Sequence, residues 1–250
     1  MTKKKKKKHV LKIKNIIIIL LILLALVGLF YYAITMPIKN VYIKGNTMVS
    51  DEEIMIISKL DQYPSFLLTK KRELQNLIIK NEYINKVKIT KKIGNIIEVN
   101  ITEYQVIAVT TEDKIILSNG RILENKYELS DIPILMNAIE NKKIAKNFAK
   151  KFGSIDSNIL RQISQIEYSP VAVDEERFLL YMNDGNLVYI TLTKVNKLNK
   201  YNQMKDKLNG KLGIIYLDSG DYVELKKEII VSENTDSNSK KDTENNINTQ

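Results

Sequence analysis

The chain has 250 residues, room for one or two domains, and a formal charge of +10. Eight of its 39 basic residues (Lys3 to Lys8, Lys12 and Lys14) precede the apolar run that starts at Ile16, which leaves 31 basic against 29 acidic residues elsewhere, so the basicity is a tail and not a nucleic-acid-binding face. The absence of cysteine excludes disulfides, thiolate nucleophiles and sulfur-ligated metals.

Residues 16–34 read IIIILLILLALVGLFYYAI, an uncharged run that as a helix spans roughly 28 Å, close to a hydrocarbon core of about 30 Å. Tyr31 and Tyr32 stand where an interfacial aromatic belt belongs. A cleaved signal peptide has a shorter apolar region and an A-x-A-like site. Ala33-Ile34-Thr35 imitates that site poorly. The expectation is an uncleaved single-pass anchor over 16–36, in contact with the lipid bilayer. The lysines on its N-terminal side orient residues 1–15 as a cytoplasmic basic tail, leaving the rest extracytoplasmic. They also suit anionic lipid. His9, the sole histidine, has no metal-ligating companions.

Val41 and Ile43 alternate with Tyr42 and Lys44, as in a half-buried strand. Gly45-Asn46 marks a turn. Ser50 and Glu53 have capping-box spacing, and Asp51, Glu52 and Glu53 suit a helix N-terminus, which explains this acidic trio better than a metal site does. Ile54, Ile57 and Leu60 share the face of a first helix. Leu74, Leu77 and Ile78 share that of a second, running from near Thr69 to about Asn81. Two strands follow, with Val87 and Ile89 alternating in one and Ile97, Val99 and Ile101 in the other, joined by a hairpin turn at Gly94-Asn95. This β-α-α-β-β order admits several small α+β folds.

Val41, Ile43, Gly45, Asn46, Ser50, Glu53 and Ile54, directly behind a single anchor, resemble the opening of a POTRA domain. More narrowly, the chain resembles the FtsQ/DivIB family of bitopic division proteins. Ile97, Val99, Ile101 and Glu103 match that family's strand leaving the POTRA domain. Ile116 to Leu123, Ile132 to Leu135, Lys197 to Tyr201 and Leu217 to Gly220 match later motifs in order. Ile93, Tyr104 and Val106 depart from the family pattern, which bears on local turn geometry. The resemblance implies an α+β protein: an N-terminal transmembrane helix, a small POTRA domain over 37–104, and a β-rich domain with interspersed helices over 105–226. In this reading Gly45, Asn46, Ser50 and Glu53 are structural.

Strands are expected at Val106–Thr110, Lys114–Ser118, Ile166–Ser169, Arg177–Met182, Leu187–Thr191, Gly213–Leu217 and Tyr222–Leu225, with Asp184-Gly185 and Ser219-Gly220 at hairpins. Helical faces are expected at Ile144, Phe148 and Phe152, at Ile159, Leu160 and Ile163, and at Val195, Leu198 and Tyr201. From Val231 onward only Val231 and Ile247 are large apolar residues, so 227–250 reads as a disordered tail.

No His, Cys or Trp occurs beyond residue 36, which removes Ser-His-Asp, Cys-His and imidazole-zinc chemistry. Ser237 and Lys240 have dyad spacing, but in a segment that would not preorganise them. Glu98, Glu103 and Asp174 to Glu176 offer carboxylates of the kind glycan hydrolysis needs, on strand surfaces and in a solvated loop. No cofactor, small-molecule substrate or catalytic site is expected. The resemblance implies a non-enzymatic scaffold of the divisome, enriched at the septum, that binds and stabilises FtsB/DivIC-like and FtsL-like single-span coiled-coil proteins. β-Augmentation at the last hairpin is the physical route expected, with Tyr216, Tyr222, Val223, Glu224 and Leu225 as candidate contacts; packing of both tyrosines on the core is the competing reading. Alternatives in function are an anchored POTRA factor handling exported polypeptides and an exported cell-wall enzyme.

Overall fold

The computed structural model describes residues 13–127 and 129–226. The lysine run up to Lys12, His9, the Ser237–Lys240 spacing and the disorder expected over 227–250 lie outside the described residues.

Helix α1 (Ile13–Thr35) buries none of its side chains and is long and apolar enough to cross a membrane. The chain then forms β1 (Asn40–Lys44), α2 (Asp51–Ser58), a 3-10 turn (Leu60–Gln62), α3 (Lys71–Ile78), β2 (Ile84–Lys92) and β3 (Ile96–Glu103). This is the β-α-α-β-β order read from the sequence. The strands lie in the order β1-β3-β2, with β1 parallel and β2 antiparallel to the central β3. Ile97, Val99 and Ile101 of β3 meet Ile54 of α2, Leu60 of the 3-10 turn, and Leu74 and Ile78 of α3 in one core. Gly45 is obligatory here, because its φ is +85° and an added Cβ would lie 2.2 Å from the Ile101 carbonyl oxygen.

Ser50 caps α2 by accepting from the Glu53 amide at 3.1 Å. The reciprocal half of the expected capping box is absent. Glu53 instead accepts from Asn81 Nδ2 at 2.9 Å and from the Tyr127 hydroxyl at 3.3 Å, partners that the tertiary fold brings beside it.

The second sheet contains β4 (Val106–Thr110), β5 (Lys114–Leu117), β6 (Ile122–Glu124), β7 (Ile134–Leu135), β8 (Ile163–Tyr168), β9 (Arg177–Met182), β10 (Leu187–Thr191), β11 (Gly213–Tyr216) and β12 (Tyr222–Leu225). Its order is β12-β11-β10-β9-β8-β7-β4-β5-β6. One face is covered by α4 (Lys142–Phe152), where Phe148 and Phe152 pack on Phe178 of β9. After α5 (Ser157–Leu160), Ile163 enters β8 opposite Met182, not the helical face expected for it. Ile163 and Ile166 are three apart, a spacing that leaves a short apolar run ambiguous between helix and strand. β7 escapes a sequence reading because two residues carry no periodicity, although Leu135 is buried between parallel neighbours β4 and β8.

The segment after β10 is a 3-10 helix (Leu192–Lys200) running into α6 (Tyr201–Asp206). Leu192, Val195, Leu198 and Tyr201 are all buried. Their uniform spacing of three suits a helix with three residues per turn, where such positions eclipse on one side.

The two cores meet at β4 and β5. Val106, Ile115 and Leu117 belong to the core of the first sheet, whereas Ile107, Ala108 and Ile116 belong to that of the second. A register irregularity between Val106 and Ala108 lets Ile107 and Ala108 both serve the second core.

Candidate partner-binding edge

The end of the nine-stranded sheet is built from the start of β11 outward. Asn186 is almost fully buried; its Oδ1 accepts from the Gly213 amide at 2.8 Å and its Nδ2 donates to the Tyr201 hydroxyl at 3.1 Å. That hydroxyl donates to Asp184, which also pairs with Lys205 at 2.9 Å. Burial, reinforced by the Asp184 charge and opposed by the Asn186 contact, raises the Tyr201 phenol well above its ordinary range. Gly213 admits no side chain, since a Cβ would meet Leu208 Cδ2 at 2.5 Å and the Glu224 carbonyl at 2.9 Å. This buried network pins the chain where β11 begins.

β11 runs parallel to β10, and β12 folds back antiparallel on β11, pairing Ile214 with Glu224, Ile215 with Val223 and Tyr216 with Tyr222. The turn between them carries its positive φ at Asp221 (57°), one residue beyond the Ser219-Gly220 pair that marks it in the sequence. Lys197 forms an ion pair with Asp221 and Lys194 Nζ donates to the Asp218 carbonyl at 2.8 Å, tying the turn to the 3-10 helix. Arg177 Nε donates to Asp218 at 2.7 Å, a mostly buried pair. Burial opposes ionisation of Asp218, but the Arg177 hydrogen bond and charge outweigh it and hold the carboxyl below its usual range.

β12 is the terminal strand of the sheet, so its outer row of backbone N–H and C=O groups has no neighbouring strand among the described residues. Tyr216 and Tyr222 face away from the core, which takes Ile215 and, in part, Val223. Leu179, Tyr189, Tyr216 and Tyr222 form one cross-strand row over β9 to β12. The Tyr189 and Tyr216 rings lie 5.3 Å apart and the Tyr216 and Tyr222 rings 4.6 Å apart, both nearly parallel. The Arg177 guanidinium sits 4.0 Å from the Tyr189 ring centroid, closing the ladder from the other end. Tyr216 donates to Glu224 at 3.2 Å; desolvation first, then this carboxylate, raises its phenol. Tyr222, Glu224 and Leu225 are exposed and Val223 is half-buried.

The candidate residues 216 and 222–225 are thus brought together at one edge. Tyr189, Arg177, Lys197 and Tyr201 belong with them but were not read as such. A Lys197–Tyr201 motif and three tyrosines on successive strands were visible, yet only strand register shows that they converge. The acidic residues do not assemble a reaction centre. Glu98 and Glu103 are an odd number apart on β3 and point to opposite faces. Glu98 pairs with Lys92, whose hydrogen bond, with that from Asn100, draws its pKa down to about 2. Glu103 accepts from the amides of Thr47, Met48 and Val49, the last at 2.9 Å. Glu176 accepts from Asn147 at 3.1 Å and Asp174 from Thr191 at 3.2 Å. No group of three or more His, Cys, Asp or Glu suited to a metal occurs among the described residues.

Comparison with known proteins gives these features a context. The FtsQ-type POTRA domain family matches residues 36–104. The solved major extracytoplasmic domain of DivIB from Geobacillus stearothermophilus is 26% identical, covering 43% of this chain and 96% of that one, with a TM-score of 0.36. The cell division protein DivIB of Listeria monocytogenes is 24% identical over 88% of this chain and 84% of its own length. That of Bacillus subtilis is 30% identical over 208 residues, 80% of this chain and 79% of the relative. The chain belongs to the DivIB family of cell division proteins.

Proposed function

We propose that the protein is a non-enzymatic scaffold of the division machinery. It is anchored by α1 with its N-terminus in the cytoplasm, and it presents a POTRA domain (37–104) and a β domain (105–226) outside the membrane, enriched at the septum. Its partners are single-span coiled-coil division proteins of the FtsB/DivIC and FtsL type, captured by strand addition along β12. The observation that carries this reading is the open β12 edge beside a ladder of Tyr189, Tyr216 and Tyr222, backed by a buried network that holds the hairpin rigid. A rigid, open edge supplies main-chain hydrogen bonds, and aromatic rings beside it supply side-chain anchorage. The carboxylates read as possible catalysts serve as structural acceptors, which supports a binding role over wall chemistry.

The test is a fluorescent fusion at the cytoplasmic N-terminus combined with copurification from dividing cells. A mid-cell band, with recovery of the coiled-coil partners lost in Tyr222→Lys, is the expected outcome. An even distribution around the membrane, or undiminished recovery with the variant, overturns the scaffold or the β12 edge respectively.

A further inference from the structure

We infer that the first α/β unit carries a second membrane contact, a lipid-docking patch formed by the turn at Leu67-Leu68 and the β2–β3 hairpin tip at Ile93. This rests on α1 spanning a bilayer and is independent of the partner edge. Leu67 and Leu68 are 55% and 61% exposed, and Ile93 is fully exposed at 100%. Both loops are fastened to the segment through which the chain leaves α1. Ser65 Oγ donates to the Ile34 carbonyl in the last turn of α1, and the Phe66 amide donates to the Met36 carbonyl at 2.9 Å. Asn95 Nδ2 donates to the Pro37 carbonyl at 3.0 Å, and its own carbonyl accepts from the Lys39 amide at 2.9 Å. The unit is therefore clamped against the end of α1, not strung on a free linker. Three large apolar side chains sit one to three residues from those hydrogen bonds.

The level at which they sit follows from α1. Tyr31 and Tyr32 lie one turn before Thr35, at the depth where tyrosines favour the headgroup region. Apolar side chains fixed just beyond that belt reach the boundary that interfacial segments use. The surrounding charge suits an anionic surface. Lys70, Lys71, Arg72, Lys91 and Lys92 flank the two loops, against the carboxylates of Glu73 and Glu98. Lys91 is drawn over the Phe66 ring, 4.8 Å from its centroid, and donates to the Phe66 carbonyl, which braces the turn that presents the leucines. Basic side chains beside an apolar wedge are the composition that anionic lipid attracts.

The absence of cysteine permits a direct test on the full chain. Single cysteines replace Ile93, Leu67, Leu24 within α1, or Val173, which is 95% exposed in the loop between β8 and β9. Each carries an environment-sensitive fluorophore. The labelled chain is reconstituted in vesicles of phosphatidylglycerol and phosphatidylcholine in equal proportion, with brominated lipid as quencher. The label at Leu24 reports whether α1 is inserted at all. With Leu24 quenched, the labels at Ile93 and Leu67 are expected to shift to the blue and lose most of their emission, more so than in phosphatidylcholine alone, while Val173 stays unquenched. Emission at Ile93 and Leu67 that matches Val173 overturns the patch and leaves these residues to a protein partner. An unquenched Leu24 overturns the anchor on which the inference stands.

Discussion

The two ends of the nine-stranded sheet obey different rules. Along β4 and β5, toward one end, both faces are covered, and β5 reads Lys-Ile-Ile-Leu with three consecutive buried residues. At the β11–β12 end only one face is covered, with buried and half-buried residues alternating along β11, and β12 reads Tyr-Val-Glu-Leu with its inner position alone half-buried. A continuous apolar run signals a strand buried on both sides, and alternation signals one with a free face. The covered end welds the first sheet to the second through Val106, Ile115 and Leu117. The open end leaves backbone and tyrosines available. In the proposed function, one sheet thus divides its labour between cohesion and recognition.

The contrast is sharpest at Ile115, which is fully buried in the core shared with the first sheet. Ile115→Ala is expected to cost about 2–5 kcal/mol, read as a lowered midpoint in chemical denaturation. Leu187→Ala, on the half-exposed face of β10, is expected to cost less than half as much. Equal losses would break the distinction between the two ends.

Asn186 offers the next largest effect, because Asn186→Ala leaves the buried Gly213 amide without its acceptor and removes one contact of the Tyr201 hydroxyl, which keeps its bond to Asp184. Leaving such a buried amide unsatisfied costs about 1–3 kcal/mol. Hydrogen exchange is expected to lose protection first in β11 and β12 while β4 and β5 remain protected. Uniform loss across the sheet would mean that the hairpin is not a separable unit.

How much of this was legible in the residues follows the same division. The first unit was read nearly whole, because its signals are local: alternation in β1 and β3, the Ser50 cap, the turn at Gly94-Asn95. What failed there was Glu53, whose partners Asn81 and Tyr127 are brought in by tertiary folding and leave no mark at capping-box spacing. In the second unit most strands were legible, but Ile163 was ambiguous by period and β7 was too short to have one. The edge status of β12 followed from its being last in the chain. The ladder it joins did not, because Tyr189 lies 27 residues before Tyr216 and only the parallel pairing of β10 with β11 aligns them.

Tyr222→Ala tests the recognition end by itself. The ring is 49% exposed and outside the core, so stability should move by no more than about 0.5 kcal/mol. Recovery of the coiled-coil partners should fall by about tenfold, the size expected for an aromatic anchor. A change in stability without a change in recovery would reassign the tyrosine ladder to holding the sheet together.

The smallest effect concerns Asp218, where the comparison becomes one of pH. Arg177 holds its carboxyl below the range of an unfolded aspartate, so the folded state binds this proton less readily than the unfolded chain. The stabilisation is therefore complete above the unfolded value of about 3.9 and is lost as pH falls through the lower folded value. Asp218→Asn keeps the shape of the side chain and removes its titration. Denaturation midpoints are expected to favour the native chain over this variant at pH 7 and to converge as the pH drops below about 4. A gap that persists undiminished in acid would mean that the hydrogen bond from Arg177, and not the charge, secures the turn before β12. The same titration leaves Ile115 untouched, so acid should loosen the recognition end while the welded end holds.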